Sequence, residues 1–361
     1  MLLEQSCSPI RSTGDAMRVR GFRRGAGVFL NTYHGPPLSG AGVWTMSQQV
    51  LSATGGVITT PASMPNVVAR WRADQGQTLV QGPVSATGTA PPAVTFAGTP
   101  SSSTNTIVLT CTGTGTNTTA TFSWTLNGVS QTPFTAASTV VLTGTGITAT
   151  FPTGTYSSTP SADTYTSVVT SSAWADQSGN GHTLSQATAA NQMAYGASSG
   201  PNSTPAMIGT AALQTFMATA AFTLTQAYWI WIVCRWTSAY STTATMIDGL
   251  ATNLAGMTRL SSTSFRLYSG VAGFTYSGAT PQTYQAYGLT VNGASSSIVS
   301  NGTTVATGTV SVTNQSGLTV GAGGADAAIA SDCLISEIVI ASAVPAANVL
   351  SAYSQARYGF G

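Results

Sequence analysis

Residues 228–234 read Tyr-Trp-Ile-Trp-Ile-Val-Cys, and this stretch decides the class of fold. A strand with one face in solvent alternates apolar and polar residues, but here both sets of positions are apolar. The run stops at Arg235 and is far too short to cross a bilayer as a helix. The pattern therefore predicts a central β-strand that is covered on both faces.

Other strands and one helix are predicted around it. Residues 264–268 alternate as an outer strand does, and residues 334–340 alternate around Glu337. Asn301-Gly302 predicts a hairpin, because this pair accepts the positive φ of a tight turn.

The end of the chain predicts the helix. Pro345 suits the first helical turn, and Gly359 suits the C-terminal cap. Between them, apolar residues recur at steps of three and four: Val349, Leu350, Tyr353 and Ala356. We expect this stripe to pack the helix against a sheet.

A second set of short strands precedes this part of the chain. Residues 106–111, 120–124, 140–142 and 147–151 suit strands, and Asn127-Gly128 predicts a hairpin turn. This density of strands predicts a small sandwich of immunoglobulin type. Cys111 and Trp124 resemble the Cys-then-Trp element of such domains, but no second cysteine follows to form their disulfide. The Pro/Gly/Thr-rich passage at 82–92 predicts a linker.

Composition points to an all-β fold with little charge. Charged residues make up 6% of the chain, and its polar share comes from Ser, Thr, Gly, Asn and Gln. Every basic residue is an arginine, which excludes lysine Schiff-base chemistry and a P-loop. The net charge of +2 does not predict nucleic-acid binding. The four cysteines are too widely spaced for a zinc site.

Residues 1–60 predict an N-terminal arm. Its basic residues are Arg11, Arg18, Arg20, Arg23 and Arg24. They suit either contact with an acidic partner during assembly or an ordinary solvated tail. Because no apolar run of a signal peptide follows them, we expect the protein to reach the outside by cell lysis.

One motif carries a family resemblance. Residues 174–182 read Trp-Ala-Asp-Gln-Ser-Gly-Asn-Gly-His, and residues 186–192 read Gln-Ala-Thr-Ala-Ala-Asn-Gln. These two motifs, in this order along the chain, resemble those of concanavalin A-like domains of the laminin-G type. The turn at Asn301-Gly302 and the ending Arg357-Tyr358-Gly359 are similar to that family's hairpin and closing helix, although lysine is common at the position of Arg357.

The resemblance implies a fold and a division of the chain. Residues 66–82 and 168–361 would form a lectin-like jelly roll, interrupted by an inserted immunoglobulin-like sandwich at 83–167. Relatives of this fold also include glycanases, which need two carboxylates at a defined separation. Glu337 has no acidic neighbour two or four positions away, and the two histidines are isolated. These absences predict a protein that is not an enzyme.

Two further hypotheses concern ligands. Asp74 and Asp176 are candidates for a calcium site, the only cofactor expected, but Asp176 also suits a cap on its own Ser-Gly-Asn-Gly turn. Three tryptophans could stack on sugars, although core packing explains them better: Trp229, Trp231 and Trp236.

The function expected is that of a virion structural protein of a tailed bacteriophage, as a capsid decoration, head-fibre or tail component. It would lie at the virion surface as a homo-oligomer in contact with other capsid or tail proteins. The alternative is a glycan-binding module on a phage tip or bacterial surface, with a host-surface glycan as its partner. Neither nucleic acid nor a membrane is an expected partner.

Overall fold

The structure is a computed structural model that describes residues 59–239, 243–251, 255–324 and 329–360. The predicted arm, apart from its last two residues, lies outside this part of the chain. So do the arginines assigned to assembly: Arg11, Arg18, Arg20, Arg23 and Arg24.

The described residues form thirty β-strands, five short 3-10 helices and one α-helix. In chain order the first thirteen strands are β1 (Val67–Arg72), β2 (Gln77–Gln81), β3 (Ser85–Thr87), β4 (Thr95–Gly98), β5 (Ile107–Gly113), β6 (Gly115–Thr116), β7 (Thr121–Leu126), β8 (Val129–Ser130), β9 (Phe134–Thr135), β10 (Thr139–Leu142), β11 (Ile147–Thr150), β12 (Thr155–Tyr156) and β13 (Thr164–Ser167). The other strands are β14 (Val169–Trp174), β15 (Leu184–Ser185), β16 (Met193–Gly196), β17 (Ala206–Gly209), β18 (Met217–Ala218), β19 (Thr223–Leu224), β20 (Tyr228–Trp236), β21 (Ala244–Asp248), β22 (Ala255–Ser261), β23 (Ser264–Ser269), β24 (Ala272–Ser277), β25 (Gln285–Val291), β26 (Ser296–Ser300), β27 (Thr303–Gly308), β28 (Gln315–Ser316), β29 (Thr319–Val320) and β30 (Cys333–Ala341). The 3-10 helices are Pro61–Ser63, Ala189–Asn191, Pro201–Ser203, Ala211–Leu213 and Gly293–Ser295, and the α-helix is α1 (Ser351–Tyr358). The prediction of an all-β class with a short C-terminal helix is confirmed.

The main sandwich is one closed sheet formed by β1, β2, β14 to β18, β20 to β27, β29 and β30, and it is built around β20. This strand pairs antiparallel with β30 on one side and with β25 on the other. Its inward side chains, Tyr228, Ile230 and Ile232, enter the main hydrophobic core, around which the sheet closes. Its outward side chains, Trp229 and Trp231, are also buried. The prediction of a strand covered on both faces is confirmed.

Helix α1 provides the cover on the outer face. The ring of Tyr353 lies 6.0 Å from that of Trp231, and Leu350 is buried just before the first helical residue. Gly359 ends the helix at φ 81°, and its N–H donates to the Gln355 carbonyl at 3.1 Å. The predicted start at Pro345 is wrong. The chain makes hydrogen-bonded turns from Ala346 and from Asn348 before it becomes helical at Ser351, and Leu350 is buried at the end of these turns.

The inserted sandwich has a separate core. Its sheets run in the orders β3-β13-β5-β7-β8 and β10-β11-β4. Aromatic rings fill the space between them, with Phe122 lying 5.1 Å from Phe151 and 5.6 Å from Tyr156. Asn127 and Gly128 have φ values of 53° and 79°, as the predicted hairpin turn requires. The linker predicted at 82–92 contains a strand, because β3 pairs with β13.

The two ends of the insertion meet at Gly82. Its N–H donates to the Val168 carbonyl at 2.8 Å, and its own carbonyl accepts the Ser167 hydroxyl at 2.6 Å. A side chain on Gly82 would lie 2.7 Å from the Val168 oxygen, so only glycine fits this approach. The division of the chain into a discontinuous domain at 66–82 and 168–361 and an inserted domain at 83–167 stays a prediction. Within the described residues, no helix is long and apolar enough to span a bilayer.

Candidate functional site

Asp176, one of the two predicted calcium ligands, organises the Ser-Gly-Asn-Gly turn. Its Oδ1 accepts the backbone N–H groups of Ser178 at 2.8 Å and Arg70 at 2.9 Å. Its Oδ2 accepts the Ser178 hydroxyl at 2.8 Å and the His182 N–H at 3.1 Å. The side chain therefore caps the turn and ties it to β1. Asn180 adds a bond to the Val68 carbonyl at 2.8 Å.

Asp74, the other predicted ligand, lies in a separate network. Its carboxylate pairs with Arg72 at 2.5 Å and with Arg357 at 2.8 Å, which joins β1 to α1. Burial opposes ionisation of Asp74, but the guanidinium groups of Arg357 and Arg72 outweigh it and lower the carboxyl pKa. Across the described ranges, no group of three or more His, Cys, Asp or Glu side chains gathers to hold a metal. The calcium hypothesis stays a prediction.

Glu337 forms the centre of a network that sequence reasoning missed. It is fully buried on β30 beneath α1, and its Oε1 accepts a bond from the Arg70 Nε at 3.1 Å. Its Oε2 accepts the hydroxyls of Tyr353 at 2.6 Å and Tyr358 at 2.7 Å. Burial, and then the Glu337 charge, raise the pKa of both phenols. The signal in the sequence was a lone glutamate in an apolar strand, followed by a helical stripe that carries two tyrosines.

The three tryptophans considered for sugar stacking are buried. The exposed fractions are 3% for Trp229, 4% for Trp231 and 1% for Trp236. Their rings therefore pack the two faces of the main sheet and offer no stacking surface. Cys234 and Cys333 are buried free thiols, and burial raises the pKa of Cys333 to about 12.

The described residues include as many arginines as acidic residues, and most of these charged groups bond within the fold. The arginines are Arg70, Arg72, Arg235, Arg259, Arg266 and Arg357, and the acidic residues are Asp74, Asp163, Asp176, Asp248, Asp332 and Glu337. Ion pairs hold Arg70, Arg72 and Arg357. Arg259 and Asp332 bond to backbone groups of the fold. Hydroxyl, amide and backbone groups therefore dominate the exposed polar surface.

An open cleft lies at one end of the inserted sandwich. It has a volume of about 540 Å³, and we name it the threonine cleft. Its lining residues are Thr89, Ala90, Pro92, Thr153, Gly154, Thr155, Ser157, Thr159, Pro160 and Asp163. Its four threonines are all exposed: Thr89, Thr153, Thr155 and Thr159. The sequence analysis missed this site because threonine is abundant throughout the chain.

Asp163 is a buried residue of the threonine cleft and bonds to Ser157, another residue of its lining. It is 1% exposed, and its Oδ2 accepts the Ser157 N–H at 2.8 Å. The backbone N–H of Asp163 donates in turn to the Ser157 carbonyl at 2.8 Å. Gly88 has a φ of 146°, and a Cβ there would collide with the Asp163 carboxylate. This glycine lets the first loop of the cleft approach the second.

Comparison with known proteins gives similarity to parts of solved structures. No protein-family model and no curated protein match the chain. The sialidase of Trypanosoma rangeli in complex with sialic acid is 12% identical, with a TM-score of 0.36 over 52% of this chain and 32% of that one. Domain 4 of a GH43 extracellular arabinanase from Geobacillus stearothermophilus, in complex with arabinotriose, is 14% identical, with a TM-score of 0.37 over 49% of this chain and 91% of that one. The binding domain of Paraclostridial Mosquitocidal Protein 1 is 12% identical, with a TM-score of 0.39 over 50% of this chain and 49% of that one.

These likenesses are partial. The chain spans about a third of the sialidases, and every one of these TM-scores lies below 0.5. Because sialidases are enzymes, their presence among the similar structures overturns the prediction that this chain is not one. That prediction rested on the absence of paired carboxylates, which not every family of glycosidases uses. The laminin-G resemblance and the virion location stay predictions.

Proposed function

We propose that this chain is a recognition module that binds a neutral glycan. The observation that carries the proposal is the nearly uncharged polar surface of the described residues, whose arginines and acidic groups balance and mostly bond within the fold. Partners such as nucleic acid or acidic polymers are held by clusters of exposed cations. A neutral glycan is held by hydroxyl and amide groups that both donate and accept hydrogen bonds.

Affinity electrophoresis of the full chain in gels containing neutral or acidic polysaccharides tests this proposal. We expect retardation by a neutral polysaccharide that is unchanged when the salt concentration rises, because no ion pairs are broken. Arg266 is a partly exposed arginine without an acidic partner among the described residues, so an Arg266→Ala control should bind equally. Binding only to acidic polysaccharides, or to none, would contradict the proposal.

Assembly into a virion is the second candidate, and the edges of the inserted sandwich favour it. Val129 on β8 is 64% exposed and Val141 on β10 is 71% exposed, and both strands end their sheets. Unprotected strand edges are templates for pairing with another chain. Light scattering should then give an oligomer for the full chain and a smaller mass for a Val129→Lys/Val141→Lys variant. A monomer in both cases excludes this route of assembly.

A further inference from the structure

We infer that the threonine cleft of the inserted sandwich is the glycan site and that it takes a neutral saccharide; this inference rests on the proposed function. The lectin-like resemblance would direct attention to the main sandwich instead. There, the aromatic rings that could have stacked on a sugar are buried under α1 or in the core. The threonine cleft is open, whereas the gap beneath α1 has a volume of only about 10 Å³.

The size and chemistry of the threonine cleft suit a saccharide. Its volume of about 540 Å³ falls in the usual range of small-ligand sites, which is about 300–1,000 Å³. Each exposed threonine offers a hydroxyl that donates one hydrogen bond and accepts two. Pro92 and Pro160 add apolar surface for the C–H face of a sugar ring. The lining thus matches the two faces of a pyranose or furanose.

The loops that form the threonine cleft are held in place before a ligand arrives. Ser157 donates its hydroxyl to the Thr159 carbonyl at 2.5 Å, and its backbone bonds in both directions with Asp163. On the same side, Tyr156 donates its hydroxyl to the Pro152 carbonyl at 2.8 Å. Loops fixed in this way lose little conformational entropy on binding. Asp163 is therefore a positioning residue.

The charge of the threonine cleft selects between saccharides. Asp163 is its only charged residue, and no cation lines it among the described residues. An acidic sugar would bring a carboxylate towards Asp163 without a compensating arginine, and like charges brought together at a binding interface disfavour that partner. A neutral sugar meets no such repulsion.

Titration calorimetry on the full chain tests the site, with maltotriose, cellotriose and mannotriose as neutral probes and a glucuronic acid-containing trisaccharide as the acidic probe. The Thr153→Val/Thr155→Val variant keeps the shape of the side chains but removes two hydroxyls. We expect it to raise the Kd of the bound neutral probe about tenfold, because two hydrogen bonds to the sugar are lost. Thr139→Val, on an exposed position of β10 that does not line the cleft, is the matched control and should leave Kd unchanged.

The outcomes separate this inference from the function on which it rests. If the wild-type chain binds a neutral probe and the double variant binds it equally well, the cleft is the wrong site while glycan recognition stands. If the wild-type chain binds none of the neutral probes, both fail. Asp163→Asn supplies a second readout, the ratio of Kd values for the acidic and neutral probes. We expect this ratio to fall towards one, whereas an unchanged ratio would contradict the selection of neutral sugars by charge.

Discussion

The two sandwiches use their polar side chains in opposite ways. In the main sandwich, Glu337 and Arg70 are buried with tyrosine hydroxyls to fasten α1 across the sheet. In the inserted sandwich, the core is aromatic and aliphatic, and exposed threonines line an open cleft. The main sandwich therefore uses buried polar groups to hold its helix, whereas the inserted one exposes threonine hydroxyls in its cleft. Changes that remove polar groups should reduce stability in the first and binding in the second.

Removal of the Glu337 carboxylate is the strongest test of this difference. Glu337→Ala leaves Arg70 without its ion pair and two buried phenols without an acceptor. Breaking a buried pair by removing one partner costs about 3–5 kcal/mol. We expect the free energy of unfolding of the main sandwich to fall by that amount in a urea titration followed by tryptophan fluorescence.

Thr155→Val in the inserted sandwich is the control for the stability loss expected from Glu337→Ala. Thr155→Val removes an exposed hydroxyl, and exposed substitutions of this kind change stability by about 0.5 kcal/mol or less. A loss of stability from Glu337→Ala that is equally small would show that the buried network does not hold the fold.

The second test compares the same turn in both sandwiches. Gly128 and Gly302 each follow an asparagine and have φ near 80°, so alanine at either position costs about 1–2 kcal/mol. Space around the two turns differs: a Cβ at Gly128 meets nothing, whereas one at Gly302 would meet the Ser351 hydroxyl at the start of α1. We therefore expect Gly302→Ala to be the more destabilising change in thermal unfolding. Equal losses would mean that the contact with α1 is unimportant.

Local patterns in the sequence predicted most of the architecture. The apolar run of β20, the two Asn-Gly turns and the capping glycine of α1 were all read correctly, because each depends on neighbouring residues only. The start of α1 was misplaced, since Pro345 suits a helical first turn but tertiary packing of Leu350 determines where the helix begins.

The Asp74 and Glu337 networks and the threonine cleft could not be predicted from local patterns in the sequence. Asp74 meets Arg357 across 283 positions of sequence, and Glu337 acquires Arg70 across 267. Only the completed sheet brings such groups together. The threonine cleft joins loops that lie about the ends of the inserted sandwich, and its hydroxyls are indistinguishable in the sequence from the many threonines that cover strands.

The smallest expected effect concerns the exposed end of the main network, where Asp74 pairs with Arg72 and Arg357. The pKa of Asp74 lies below the usual 3.8 in the folded chain. The ion pairs therefore stabilise the fold above pH 3.8, and this stability is lost as the pH falls through the lower pKa of the folded chain. Because the carboxylate is partly exposed, we expect a contribution of about 1 kcal/mol or less. Urea unfolding of the wild-type chain and of Asp74→Asn should differ at pH 7 and converge in acid, since protonation removes the charge that the variant lacks. A difference that persists at low pH would mean that Asp74 acts through packing, and the contrast between a charged main sandwich and a hydroxyl-bearing insert would then rest on Glu337 alone.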